Sequence, residues 1–409
     1  MSSITALRQH ISHTGQDWFE SPGGGTRLLP MEGLRGLAVL LIFFVHVHAF
    51  FGSYVASYPR LFSASEYFGR VGNAGVDLFF VLSGFIIYGA LVHKPVKYLA
   101  FVRRRVERLY PAFLAVLSTY LVLSVVFPSE SKIPVHTWAA AKYILENILL
   151  LPGLFRIVPI VTVAWSLSFE FAFYLSVPLV VFLLGHDRQD SLRRIALLSG
   201  IWGIFSLSEA FVFHGSHIRM LAFLSGMLLQ EVTTTGKARA YLTRRGQWIS
   251  ICVLVLIVSY HFAVQPKDLG TRASGVLSVV LMSVSIFFFV LYSLEYPGVL
   301  HKVCTWRPMR YWGNISYSYY LAHGLTLKAM ATLLARLQPQ HHPVLVYFAA
   351  LVAGLTATWV SASLLYLFVE KPMSLTPKKK RARIGAAVLA SFPWWLRRSR
   401  SAAATSDNP

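Results

Sequence analysis

The feature that most constrains this chain is a series of apolar stretches, many of about 18 or more residues, that recurs along most of its length. A helix of that length crosses the roughly 30 Å hydrocarbon core of a bilayer, where the backbone must satisfy its own hydrogen bonds. Charged residues make up only 13% of the chain, against roughly 25% in ordinary soluble domains. The sequence therefore predicts an all-α, polytopic membrane protein.

The apolar stretches predict about ten membrane-spanning helices. Segment 217–232 is the weakest, because it is short and contains Arg219, so a re-entrant segment is the alternative there. The longest polar connection, 128–160, is predicted to cap the outer mouth of the bundle. The predicted spans are 31–51, 72–92, 108–127, 161–184, 194–214, 217–232, 248–264, 273–295, 311–335 and 343–369.

The basic residues lie between the apolar stretches, so the formal net charge of +21 does not indicate nucleic-acid binding. When successive connections between the spans are assigned alternately to the two sides of the membrane, roughly 28 of the 38 lysines and arginines fall on one side. Because positive residues favour the cytoplasmic side, both termini are predicted to be cytoplasmic. The predicted organisation is a tail of residues 1–30, a transmembrane domain of 31–373 and a basic tail of 374–409 that suits an anchor at the lipid surface.

The first apolar stretch begins too late for a cleaved signal peptide, so we expect the N-terminus to be retained. The chain has two cysteines, Cys252 in an apolar stretch and Cys304 in a short basic connection. Neither a disulfide framework nor a thiolate metal site is indicated. We expect no bound metal and no permanently bound cofactor.

An ionisable side chain in the middle of a membrane helix costs roughly 2.5–3.5 kcal/mol, so it requires a partner, a cavity or a function. Arg35 and His46 are 11 residues apart in the first span. This separation is about 1,100° of rotation and about 16.5 Å of rise, so the two share one face, with Arg35 near the cytoplasm and His46 near mid-membrane. His48 points about 200° away from His46. Interhelical packing is the alternative role for His46 and the favoured one for His48.

The second span opens with a polar run that contains Asn73 and Asp77. Asp77 is one turn from Asn73, and it could either orient a histidine or cap the start of the helix. Gly75 and Gly84 are expected to allow a close approach of a neighbouring helix.

Three arginines follow where the chain returns from the cytoplasm. Arg104, Arg105 and Arg108 lie on one helical face at i, i+3 and i+4 spacings. Guanidinium groups in this arrangement suit a ligand with several phosphates. Contact with acidic lipid head groups is the alternative.

Two further spans contain stripes of polar side chains. Glu170 lies between Ser166 and Tyr174 at helical spacing and has no basic neighbour in its own span, so it needs a partner on another helix or must stay protonated. The second stripe consists of Ser316, Tyr320 and His323. Interhelical hydrogen bonding and catalysis explain these polar residues about equally well.

The last span ends in the segment 368–372, which contains Glu370, Lys371 and Pro372. This segment predicts a helix stop with a local ion pair.

Together these runs resemble acyltransferase family 3, the integral membrane O-acyltransferases that include O-antigen and exopolysaccharide acetylases. The resemblance covers residues 31–373, and five separate runs match in order. Glu32 stands where the family usually has an aspartate three positions before the arginine. In four of these runs the matching residues are Arg35 and His46, Arg104, Arg105 and Arg108, Trp165 to Glu170, and Ser316 to His323.

The resemblance implies transfer of an acyl group, expected to be acetyl, from acyl-CoA to a saccharide hydroxyl outside the cytoplasm. His46 would be the general base or would form an acyl-histidine. Glu170 is the first candidate to orient His46, ahead of Asp77 and His323. The expected partners are acyl-CoA, the saccharide acceptor, membrane lipids and polysaccharide-assembly proteins in the inner membrane. Arg104, Arg105 and Arg108, with Arg35, would hold the donor phosphates, and Glu32, Asp77, Ser316, Tyr320 and His323 would support the site.

Two alternatives stay open from the sequence. The same buried polar groups could line the path of a transporter or flippase for a lipid-linked sugar. The acceptor could also be a lipid, a peptide or a small metabolite. Some family members carry an extra span and an appended esterase-like domain, neither of which is expected in this chain.

Overall fold

The computed structural model describes residues 29–92, 96–184, 191–211, 216–261, 272–337 and 342–375. This part of the chain is helical and contains no β-strand, which confirms the predicted all-α membrane class. The predicted N-terminal tail up to residue 28 and the basic tail from residue 376 lie outside the described residues. The helices are α1 (Leu29–Phe51), α2 (Pro59–Val71), α3 (Ala74–Val92), α4 (Tyr98–Val126), α5 (Thr137–Ile148), α6 (Ala164–Leu184), α7 (Ser191–Phe211), α8 (Leu221–Thr235), α9 (Arg244–Ser259), α10 (Arg272–Glu295), α11 (Val299–Thr305), α12 (Arg307–Asn314), α13 (Ser316–Leu337) and α14 (Pro343–Leu365).

Among the described residues, six helical stretches are long and apolar enough to cross a membrane. The count of about ten spans therefore stays a prediction. The weakest predicted span, 217–232, forms a 3₁₀ turn at Ser216–Met220 followed by α8, which has 15 residues and is shorter than the roughly 20 that a full crossing needs. The six stretches are Leu29–Val55, Pro59–Val92, Tyr98–Val126, Ala164–Leu184, Gly275–Glu295 and Pro343–Leu375.

Helix α1 lies at the centre of the bundle, because it packs against α2, α3, α12 and α13. Its glycines allow the short helices α11 and α12 to approach closely. A Cβ atom at Gly33 would collide with the carbonyl oxygen of Cys304, and one at Gly36 would collide with that of Met309. The close packing holds α1, and with it the predicted face of Arg35, in one orientation.

Helices α3 and α8 also touch through glycine. A Cβ atom at Gly84 would meet the backbone of Phe223, and one at Gly226 would meet the carbonyl oxygen of Val81. Gly75 makes the corresponding approach to the backbone of α1. These contacts confirm that Gly75 and Gly84 allow close helix packing.

The long connection 128–160 contains α5 and is tied down by side chains. The Asn147 side-chain oxygen accepts a hydrogen bond of 2.8 Å from the backbone N–H of Ile160. The Tyr143 hydroxyl donates to the Val158 carbonyl at 2.7 Å. The connection lies beside the mouth of a cavity described below, which is consistent with the predicted cap.

The last helix does not stop at Pro372. Helix α14 continues as a π-helix over Tyr366–Leu375, so the predicted helix stop is wrong. Proline lacks one backbone N–H donor, and the wider π-helical turn accommodates this loss, so the helix continues past it. The continuation buries Glu370 completely inside the bundle.

Candidate functional site

Two cavities lie along α1, and each is lined by one of its ionisable residues. The arginine cavity contains Arg35 and has a volume of about 140 Å³. The histidine cavity contains His46 and has a volume of about 520 Å³. The other polar residues of the arginine cavity are Ser83, Arg105, Arg108, Ser166, Glu170, Tyr174, Ser316, Tyr317 and Tyr320. Those of the histidine cavity are Tyr120, Ser124, Ser129, Glu130, Lys132, Thr162, Lys328, Thr332 and Arg336.

The positions of Arg35 and His46 agree with the helical geometry expected from the sequence. Both residues belong to α1, and their separation in sequence places them about 16.5 Å apart along the axis and on one face. That face points into the interior, because each residue lines a cavity. A single helix therefore connects the two cavities.

His46 lies against a second histidine, His323 of α13. The centroids of the two imidazole rings are 4.7 Å apart, and the ring planes meet at 64°. His323 is completely buried, and its Nδ1 lies 2.9 Å from the Tyr319 carbonyl oxygen. Because a carbonyl can only accept, the neutral ring carries its proton on Nδ1 and a lone pair on Nε2.

Neither histidine uses its remaining hydrogen-bonding capacity within the described part of the chain. The buried Nε2 of His323 has no hydrogen-bond partner there. No hydrogen bond to His46 is formed there either, and its ring stacks against Phe50 with centroids 6.1 Å apart. Each ring therefore has a nitrogen available to a ligand.

Tyr320 links the His46–His323 pair to the arginine cavity. Its hydroxyl lies 2.7 Å from the Ser166 hydroxyl, and its ring centroid lies 5.9 Å from that of His323. Ser316 lines the arginine cavity on the same helix, and its buried hydroxyl has no partner among the described residues. The stripe expected on α13 thus runs from the arginine cavity to His46.

Glu170 lies in the arginine cavity, and the structure does not bring it to His46 as expected. Its Oε1 accepts hydrogen bonds from Ser83 at 3.1 Å and from Tyr174 at 2.5 Å. These partners come from α3 and from the next turn of α6, because Glu170 lies on the face of α6 that is turned toward the arginines. The ring beside His46 is that of His323.

The three arginines of α4 have different surroundings. Arg105 lines the arginine cavity, and its guanidinium carbon lies 5.2 Å from the Phe101 ring centroid and 5.7 Å from that of Tyr174. The buried Nε of Arg105 has no partner among the described residues. Arg104 is exposed and lines neither cavity. Of the two, only Arg105 can act inside the cavity.

Arg108 forms an ion pair with Glu370, a residue that sequence reasoning assigned to a local pair at the end of the last span. The Arg108 Nη1 lies 2.5 Å from the Glu370 carboxylate. The same carboxylate accepts a hydrogen bond of 3.2 Å from the Ser318 backbone N–H in the first turn of α13. Glu370 therefore both balances Arg108 and caps the helix that carries His323. The only signal of this role in the sequence is that Glu370 is a carboxylate directly after a long apolar stretch.

The acidic residues predicted to support the site make other pairs. Glu32 accepts from Arg310 of α12 at 2.7 Å, which ties the start of α1 to the neighbouring helix. Asp77 is buried 3.8 Å from Arg219, and within the described chain neither of its carboxylate oxygens has a hydrogen bond. The structure thus places Asp77 beside an arginine rather than a histidine.

His48 points away from both cavities, as its helical position predicts. Its Nδ1 lies 3.0 Å from the Ser65 hydroxyl of α2. The Tyr347 hydroxyl donates to the same serine at 3.0 Å. This arrangement supports the packing role that the sequence favours for His48.

The fold and the two internal cavities are those of a helical membrane protein with ionisable side chains facing its interior. The chain belongs to acyltransferase family 3, since that family, described as an acyltransferase domain, matches residues 30–363. The resemblance expected from the sequence motifs is thereby confirmed.

Three relatives illustrate what the chain is similar to. It is 26% identical to the peptidoglycan O-acetyltransferase OatA of Listeria monocytogenes, over 84% of this chain and 55% of that protein. It is 26% identical to the O-acetyltransferase OatA of a Staphylococcus aureus strain, over 90% of this chain and 62% of that protein. The chain therefore spans about three fifths of the length of these two relatives.

The third relative has a similar length. The exopolysaccharide production protein ExoZ of Rhizobium meliloti is 26% identical, over 80% of this chain and 98% of that protein. No solved structure matches the chain.

Proposed function

We propose that the protein is an O-acyltransferase of the inner membrane. It moves an acyl group, expected to be acetyl, from cytoplasmic acyl-CoA to a hydroxyl of an extracytoplasmic or lipid-linked saccharide. The observation that carries this proposal is the His46–His323 pair, which lies where α1 and α13 connect a cationic cavity with a larger one. Family membership and the functions that the names of the relatives state support the reaction class.

The arginine cavity suits the reactive end of the donor. Its volume of about 140 Å³ is below the roughly 300–1,000 Å³ of sites that enclose a drug-sized ligand, so it suits a thin thioester arm and not the whole nucleotide. The nucleotide phosphates would lie at the cytoplasmic mouth near the exposed Arg104, with Arg105, Arg108 and Arg35 further inside. The planar guanidinium fork donates two parallel hydrogen bonds to a phosphate, which suits this placement.

His46 would act as the general base. One of its ring nitrogens takes the proton of the acceptor hydroxyl while the hydroxyl oxygen attacks the thioester carbonyl carbon. The carbon–sulfur bond breaks, an ester forms on the acceptor, and the sulfur leaves as free CoA with the proton returned from His46. The Nε2 lone pair of His323 supports this cycle, because it can accept a hydrogen bond from the protonated His46 ring.

A covalent route uses the same two histidines. A His46 nitrogen attacks the thioester, CoA leaves as the thiol, and the acyl-histidine then reacts with the acceptor hydroxyl from the histidine cavity. This route would carry the acyl group from one cavity to the other in two steps. Rapid-quench trapping of a labelled acyl group on the protein distinguishes it from direct transfer.

The proposal is tested with purified protein in liposomes, acetyl-CoA labelled in the acetyl group, and glycans from the membranes of the host. We expect label to enter the glycan and CoA thiol to appear in equal amounts, with protein-free liposomes as the control. If the protein leaves acetyl-CoA intact and moves a lipid-linked sugar across the liposome, it is a transporter and the proposal is wrong.

A further inference from the structure

The rim of the histidine cavity carries an excess of positive charge. Three cationic residues and one carboxylate line it, which leaves a formal charge of +2 apart from His46. The carboxylate is Glu130, which accepts a hydrogen bond of 2.6 Å from the Lys328 ammonium group. The Lys328 side chain lowers the pKa of Glu130, so this pair is ionised and its charges cancel. The remaining two cations are Lys132 and Arg336.

Lys132 and Arg336 have no ion-pair partner in the part of the chain that the structure describes. The Lys132 ammonium group donates to the Pro159 carbonyl oxygen at 3.0 Å, and this contact fixes the side chain without neutralising it. Partial burial lowers the pKa of Lys132, and the charge of the nearby Lys328 lowers it further. An anion at this position would offset the charge of Lys132, which no described carboxylate balances.

The rest of the lining suits a sugar. Phe50, Tyr120 and Phe127 supply aromatic surface, and Ser124 and Thr162 supply hydroxyl groups. Flat aromatic surfaces with a few polar groups are typical of sites for small polar ligands, and the cavity volume of about 520 Å³ is within the range for such sites. His46 lies in the same cavity, so a sugar bound there has its hydroxyls near the proposed base.

We propose that the acceptor is anionic, and that Lys132 and Arg336 bind a carboxylate or phosphate group of this saccharide at the rim of the histidine cavity. This inference rests on the proposed function and specifies the substrate class of the same site. Two sources share the required chemistry: an acidic sugar and the phosphate groups of a lipid carrier. Ordinary lipid head groups are the competing occupant of these cations.

The test measures the charge of the natural product. Membranes from host cells that express the protein, and from cells that lack it, are incubated with acetyl-CoA labelled in the acetyl group. The protein-dependent labelled glycan is then applied to an anion-exchange resin before and after mild acid, which releases a sugar from a lipid pyrophosphate. We expect the product to be retained before the acid step.

The acid step separates the two sources of charge. Retention that persists after acid identifies a carboxylate on the glycan, and retention that is lost identifies the carrier phosphate. A product that is neutral from the start overturns the inference and leaves the proposed function standing. The absence of any protein-dependent labelled product contradicts the proposed function itself.

A pair of substitutions connects this charge to the two residues. In Lys132→Gln/Arg336→Gln, loss of two charged contacts is expected to raise the KM for the acceptor at least about tenfold, while acetyl-CoA affinity stays the same. The control is Lys142→Gln, which removes an exposed lysine of the same connection that does not line the cavity. An unchanged KM in the double variant would refute the inference.

Discussion

The imidazole rings of His46 and His323 lie with their centroids 4.7 Å apart, one supplied by α1 and the other by α13. His323 is completely buried and donates its Nδ1 proton to a backbone carbonyl, so its other nitrogen is available as an acceptor. The proposed base therefore lies beside a second imidazole that has an acceptor nitrogen. Tyr320, three residues before His323, lines the arginine cavity. This relationship gives His323 a specific and testable role.

His323→Phe keeps the ring volume and removes both nitrogens. If His323 positions His46 and shares its proton, kcat should fall by about 10²-fold, and the pH dependence of kcat should change. The measurement is acyl transfer between pH 5 and 9, with acetyl-CoA affinity measured in parallel and expected to stay the same. Tyr319→Phe is the control, because it changes the same helix by removing only the hydroxyl that contacts Thr358. A purely structural role would leave the pH profile as it is.

Arg105→Ala should weaken donor binding. Arg105 lines the arginine cavity with a buried Nε that has no partner among the described residues, so removing it takes away a contact available to the donor. We expect the Kd for acetyl-CoA to rise about tenfold. Arg103→Ala is the matched control on the same helix, because Arg103 is exposed and pairs with Glu107 across one turn. Equal donor affinity in the two variants would favour the lipid-contact interpretation of the arginines.

Glu370→Leu should destabilise the protein by leaving the charge of Arg108 without its partner. Removing one member of a buried ion pair costs about 3 kcal/mol. The double variant Arg108→Met/Glu370→Leu removes both charges and should recover most of the lost stability, as a thermal unfolding measurement in detergent can show. If the single and double variants unfold at the same temperature, the pair does not have the stabilising role assigned here.

Gly84→Ala should destabilise the contact between α3 and α8. The added methyl group would collide with the backbone of Phe223, and such overpacking costs about 1–3 kcal/mol. Gly200→Ala is the control, because no atom lies within 4 Å of a Cβ at that position. In a helix interior that change is expected to stabilise by about 0.5–1 kcal/mol. Equal unfolding temperatures for both variants would contradict the packing described here.

The sequence predicts the features that depend on helical periodicity. The membrane class follows from the length of the apolar stretches, and the separation of Arg35 and His46 places them on one face of α1, as the two cavities show. The close approach at Gly84 follows from the absence of a side chain. Each of these inferences uses residues of a single helix.

The contacts between helices could not be predicted in the same way. Arg108 and Glu370 are 262 residues apart, and no local pattern in a single sequence specifies that pair. Glu170 was expected to lie near His46, but the rotation of α6 turns it toward the arginines. The π-helical continuation past Pro372 depends on packing in the bundle and not on local propensity.

If His46 carries the transfer reaction, His46→Ala and His48→Ala should differ sharply in liposomes supplied with labelled acetyl-CoA and host glycan. Both changes remove a histidine from α1, but His46 lines the histidine cavity, whereas His48 lines neither of the two cavities and contacts Ser65. We expect His46→Ala to insert at normal yield and to lose transfer by about 10²–10⁴-fold, while His48→Ala remains active. Full acyl transfer by a well-inserted His46→Ala protein would contradict this expectation.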